Sequence, residues 1–106
     1  MVVPDPMGAT GGTVLVLLDH YEEHRLGTLE KVIYMDLMVT PEYLRRIHDS
    51  RPEACVYALR LDRGLSPESA LRCVPGEPWG GERCLTDHGI VPGAGSVGEL
   101  LNNSWV

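Results

Sequence analysis

One segment, Asp5-Pro6-Met7-Gly8-Ala9-Thr10-Gly11-Gly12-Thr13, restricts this chain more than any other. It lies between a short apolar stretch, Met1-Val2-Val3, and a segment with helical periodicity. In that segment Val14, Leu17, Leu18 and Tyr21 fall at i, i+3, i+4 and i+7, with Asp19, Glu22, Glu23 and Arg25 between and after them. The expected order is a three-residue strand ending at Pro4, a glycine-rich loop over residues 5–12, and a helix from Thr13 to Arg25 that stops at Gly27. A strand, a tight turn and a helix in succession open an α/β unit.

The rest of the first sixty residues repeats the alternation. Glu30 to Val39 is mostly apolar and rich in β-formers, which suits a strand covered on both faces in a parallel sheet. Thr40-Pro41-Glu42 supplies an N-cap, a proline at the first helical position and an acid in the first turn. The helix it opens is expected to reach Asp49 and stop before Arg51-Pro52. Ala54 to Leu61 reads as a third strand. The fold class is therefore α/β with a Rossmann-like parallel sheet, here a partial domain of three to four strands within a single unit over residues 1–106. Asp62 to Gly89 carries Pro67, Pro75, Pro78, Gly76, Gly80 and Gly81, and reads as a long loop or insertion with one helical turn near residues 66–72. A second tight turn follows at Ile90-Val91-Pro92-Gly93-Ala94-Gly95-Ser96, and Val97 to Leu101 is expected to begin a last helix.

The chemistry of the first turn follows from the free N–H groups at a helix N-terminus and the dipole that favours anions there. Gly11 and Gly12 let a ligand approach the backbone, and Thr10 and Thr13 add hydroxyls, so the segment has the makings of a phosphate cradle. Asp5 is an acceptor that suits sugar hydroxyls or a hydrated Mg²⁺. The glycines alone fit a ligand-free strand-to-helix turn equally well. A P-loop is excluded because no Lys follows the glycines, and G-x-G-x-x-G is absent. The net charge of −6 and the lack of a Lys/Arg run make polymeric DNA or RNA a poor partner.

The nine residues from Asp5 to Thr13 resemble the phosphoribosyl-pyrophosphate (PRPP) motif of uracil phosphoribosyltransferases, D-P-M-L-A-T-G-G-S/T, with Gly8 where Leu is usual. Val39-Thr40-Pro41-Glu42 is similar to that family's A-A-P-E, Arg51-Pro52-Glu53 to its H-P-D, and the stretch from Leu59 to Leu65 to its A-L-D-x-x-L. Ile90-Val91-Pro92-Gly93-Ala94-Gly95 resembles the turn that forms the uracil pocket. The likeness runs through nearly all of this chain, in order, and covers about the C-terminal half of a family member.

The resemblance implies a phosphoribosyltransferase-type sheet and the joining of uracil to PRPP, giving UMP and pyrophosphate, a step of pyrimidine salvage. It implies that Asp5, Pro6, Met7, Gly8, Ala9, Thr10, Gly11, Gly12, Thr13 and Ser96 meet PRPP, and that Ile90, Gly95, Ser96 and Val97 read uracil. It also implies Mg²⁺ as cofactor. Ser96 stands where the family has an Asp, Glu99 where it has a later Asp, and residues 66–85 look like an insertion. Upstream segments supply the basic pyrophosphate clamp in the family. Expected partners are therefore PRPP, uracil and UMP, together with a second copy or a chain that supplies the remaining half. The alternative is a non-catalytic nucleotide- or phosphate-binding module.

Other residues carry weaker signals. His20 and His24 share a helix face, but a solvated face is the expected reading. Cys73, Cys84 and His88 lack zinc spacing, and three cysteines in all argue against a disulfide framework. Glu22, Glu23 and Glu42 read as helix surface. Trp79 suits either a lid tip or a subunit contact. No stretch fits a secretory signal or a membrane span, so the cytoplasm is the expected location.

Overall fold

The computed structural model describes residues 1–24 and 26–86, with the backbone of 89–90. Its order is β1 (Val2–Gly8), α1 (Gly12–Glu23), β2 (Ile33–Val39), α2 (Pro41–Ser50), β3 (Cys55–Leu61), α3 (Glu68–Leu71), β4 (Leu85–Thr86) and β5 (Gly89–Ile90). The first three strands form one parallel sheet in the order β1-β2-β3. β4 and β5 pair antiparallel as a separate ladder. The expected α/β class with a parallel sheet is what forms.

The first strand is longer than its sequence suggested. It does not end at Pro4 but runs through Pro4, Asp5 and Pro6 to Gly8. The reason lies in the alternation of a strand's N–H groups. Ile33 N–H donates to the Met1 carbonyl at 3.0 Å, so odd-numbered residues of β1 turn toward β2. Pro4 and Pro6 turn to the other side, which among the described residues is the edge of the sheet, where a missing N–H costs no ladder bond. β2 is correspondingly shorter than the apolar run, beginning at Ile33 and not at Glu30.

α1 and α2 cover one face of the sheet. The core there consists of Val3, Val14, Leu18, Val32, Tyr34, Val39, Tyr43 and Ile47. Leu17, expected to face inward with Val14 and Leu18, is 46% exposed, so the packed stripe of α1 is narrower than its sequence pattern. α2 starts as expected: Thr40 Oγ1 accepts the Tyr43 N–H at 3.0 Å, and Pro41 fills the first position. At its far end Arg51 reaches back to α1, donating to Glu22 at 2.9 Å and to Asp19 at 3.2 Å. Glu22 is thus a tether between helices.

The opposite face of the sheet is uncovered among the described residues, contrary to the expectation that β2 is buried on both sides. Met35, Leu37, Tyr57 and Leu59 are exposed there, and with Pro4 and Ala58 they line an apolar hollow of about 510 Å³.

Residues 62–86 are more ordered than a bare loop. Arg63 is the hub: it pairs with buried Glu82 at 2.6 Å and donates to the carbonyls of Ala70, Leu71 and Cys73 at the end of α3. The unit is fastened to α2 twice. Arg45 donates to the Trp79 and Glu82 carbonyls, and the Glu42 carboxylate accepts the Cys84 and Leu85 N–H groups. Glu42 is therefore a clasp and not plain helix surface. Trp79 lies against His48 of α2, with ring centroids 5.5 Å apart in a T-shaped contact.

Candidate functional site

β1 delivers the glycine-rich segment to the carboxyl end of the sheet, where open α/β sheets hold their ligands. The turn is built by Gly11, which takes φ 75° as the N-cap of α1, a left-handed conformation that suits glycine. Gly11 has no side chain with which to cap that helix end, and the first turn carries no acid. The N–H groups of the first turn therefore have no anionic side chain competing for them. Thr10 Oγ1 accepts the Gly12 N–H at 3.4 Å, which folds the turn upon itself.

The start of α2 fixes the other side of this loop. Three successive carbonyls turn toward it: Gly8 accepts from the Thr40 N–H at 3.0 Å, Ala9 from Thr40 Oγ1, and Thr10 from Arg46 Nη1 at 3.3 Å. Asp5 stands midway along β1, its Oδ1 accepting the Met7 N–H at 2.9 Å. Between them lies a hollow of about 70 Å³ lined by Asp5, Met7, Ala9, Thr10, Gly11, Gly12, Thr13 and Val14. The structure thus brings together residues 5–13 of the sequence expectation, except that Pro6 and Gly8 do not line the hollow. Pro6 is exposed, and Gly8 lies against Tyr43.

Beneath the loop is a buried polar pair. Tyr43 Oη lies 3.4 Å from Asp36 Oδ2, and Asp36 stands opposite Asp5 in the strand register. Burial and then the nearby Asp5 push the Asp36 carboxyl up to about 6. Burial also raises the Tyr43 phenol, which stays protonated as the donor. Asp36 Oδ1 and Tyr34 Oη have no hydrogen-bond partner among the described residues. Neither Asp36 nor Arg46 stood out in the sequence. Asp36 could have, because an acid in the middle of an apolar strand is unusual.

Among the described residues no three His, Cys, Asp or Glu side chains gather into a metal cage. A Mg²⁺ held mainly by ligand phosphates needs only one or two protein carboxylates, and Asp5 at the rim fits that lesser role. His20 and His24 stack with centroids 4.0 Å apart on an exposed face. Neither Cys73 nor Cys84 is in a disulfide; Cys73 donates to the Ser69 carbonyl, and Cys84 is buried, with its thiol pushed up to about 12, mainly by burial. No described helix is long and apolar enough to cross a membrane. Of the residues expected to read uracil, Ile90 is described in its backbone only, and Gly95, Ser96 and Val97 lie outside the described residues, as do His88 and Glu99.

Comparison with known proteins agrees with the motif. The chain is 31% identical over 85 residues to a uracil phosphoribosyltransferase of Thermococcus sibiricus. It is 32% identical over 103 residues to one of Campylobacter fetus. Both of these similar proteins are uracil phosphoribosyltransferases. The matches cover 80% and 97% of this chain but only 35% and 39% of the relatives, so the chain spans little more than a third of their length. The solved structure of the AQ2163 protein from Aquifex aeolicus superposes with a TM-score of 0.61 at 31% identity, over 94% of this chain and 38% of that one. No family model matches the sequence.

Proposed function

We propose that this chain carries the PRPP- and UMP-binding portion of a uracil phosphoribosyltransferase. The observation that carries the proposal is the acid-free start of α1 behind Gly11, set at the carboxyl end of a parallel sheet within the segment that matches these enzymes. On this reading the ribose 5-phosphate lies on the Thr10–Thr13 turn, and Asp5 meets the ribose hydroxyls or a Mg²⁺ brought by the ligand. Uracil would lie toward residues 90–97. In the intact reaction the bond from C1′ to the pyrophosphate oxygen breaks as a bond from a uracil ring nitrogen to C1′ forms, and that nitrogen loses its proton. Catalysis of this kind rests on positioning and on stabilising the departing charge.

A second reading has its own supporting observation. The uncovered apolar face of β1-β2-β3 is the kind of surface that a further chain segment or a partner covers. The chain would then be a nucleotide- or phosphate-binding module completed by something else. Titration with UMP, and with PRPP plus Mg²⁺, followed by a turnover assay with labelled uracil, separates the two. Turnover by this chain alone sinks the second reading. Binding without turnover favours it. An intact fold that binds neither ligand overturns both.

A further inference from the structure

Arg46 reaches the glycine turn from the neighbouring helix. A Cβ added at Gly11 would stand 3.5 Å from Arg46 Cδ, and one added at Gly12 would stand 3.7 Å from Arg46 Nη1. The side chain therefore lies along the rim of the hollow, with its guanidinium beside the first residue of α1. Its one recorded bond, to the Thr10 carbonyl, is 3.3 Å, longer than an ordinary N–H···O contact, and lies at the exposed surface.

Two further facts bear on Arg46. The ion pairs among the described residues engage Arg51, Arg63 and Arg72, and none engages Arg46. In a chain with net charge −6, a guanidinium without a carboxylate is a local excess of positive charge. The helix end it faces carries no acid to neutralise it. A guanidinium has five N–H donors, and one is spent on Thr10.

We propose that Arg46 is a phosphate-binding residue: it donates a charge-assisted hydrogen bond to a phosphomonoester seated on the Gly11–Thr13 turn. This rests on the phosphate-loop reading of residues 5–13. The backbone supplies neutral donors that fix the position of the phosphate. Arg46 supplies the charge that selects a dianion over an uncharged sugar. The Thr10 contact pre-orients the guanidinium, so little rotamer freedom is lost on binding.

The test uses ribose 5-phosphate, inorganic phosphate and ribose, titrated calorimetrically or by amide chemical shifts at two salt concentrations. The proteins are the parent chain, Arg46→Gln, Arg46→Lys and Arg72→Gln. Arg46→Gln is expected to weaken ribose 5-phosphate binding by about tenfold or more and to flatten its salt dependence. Arg46→Lys is expected to recover part of the loss, and Arg72→Gln, which changes the net charge equally, to bind as the parent does. Equal affinity of Arg46→Gln and parent overturns the proposal. So does an equal loss in Arg72→Gln, because the effect would then be one of overall charge. If the folded parent does not bind ribose 5-phosphate, the loop reading itself fails and Arg46 falls with it.

Discussion

A Cβ added at Gly8 would lie 2.9 Å from the Cε1 and Cζ atoms of Tyr43, inside contact distance of a fully buried ring. The departure of this loop from D-P-M-L-A-T-G-G is thus an exchange of bulk: the ring fills the space that a side chain at position 8 would use. Gly8→Leu is expected to destabilise the fold by about 1–3 kcal/mol through overpacking. Gly8→Leu with Tyr43→Ala should cost less than the two single changes added together, as a double-mutant cycle by urea denaturation would read. Asp36 makes a second prediction. Its carboxyl titrates about 6 when folded, above its unfolded value, so the folded state holds the proton more tightly. The resulting stability is fully present below about pH 4, is lost as pH rises through 6, and is absent above, with a slope of at most about 1.4 kcal/mol per pH unit. Asp36→Asn should remove that slope in denaturation curves taken from pH 4 to 7. The glycine turn was legible because Gly, Thr and Asp have few uses at that spacing. Tyr43 and Arg46 were not, because their role depends on how α2 lies across the loop, and a helix pattern does not encode that.

At the scale of elements, strand and helix order was readable because apolar runs and the Thr40-Pro41-Glu42 start signal are local. The length of β1 was not. Proline reads as a strand end until the strand is known to lie at a sheet edge. The segment from 62 to 86 misled for a related reason: its order comes from Arg63, Glu82 and Glu42, charged groups whose partners are distant in sequence. Glu42 is a direct test of that attachment. It receives N–H groups from Cys84 and Leu85 at 3.0 and 3.2 Å. Glu42→Ala should release these bonds at a cost of about 1.5–3 kcal/mol, and Glu42→Gln at less. Hydrogen exchange at the Cys84 and Leu85 amides would show faster exchange, while the β2 amides keep their protection if the unit opens locally.

For the molecule as a whole, the two faces of the sheet differ sharply. One holds the core; the other presents Met35, Leu37, Tyr57 and Leu59 to solvent. Burying such a surface is favourable, so sedimentation velocity is expected to show association that rises with concentration. Leu59→Lys combined with Met35→Lys should weaken that association by roughly tenfold or more, since an unpaired ammonium is costly to bury. Unchanged association would assign the contact to another surface.

The parallel register also has a kinetic meaning. Val2 pairs with Ile33, and Ile33 with Cys55, so each strand pair closes a span of chain that contains a whole helix. Among the described strands of this sheet no hairpin is available to seed it, and β2 must acquire neighbours on both sides. Loop-closure entropy is therefore lost before the main strand contacts form, which places β2, with buried Tyr34 near its start, at the crossing point of the slow search for the native state.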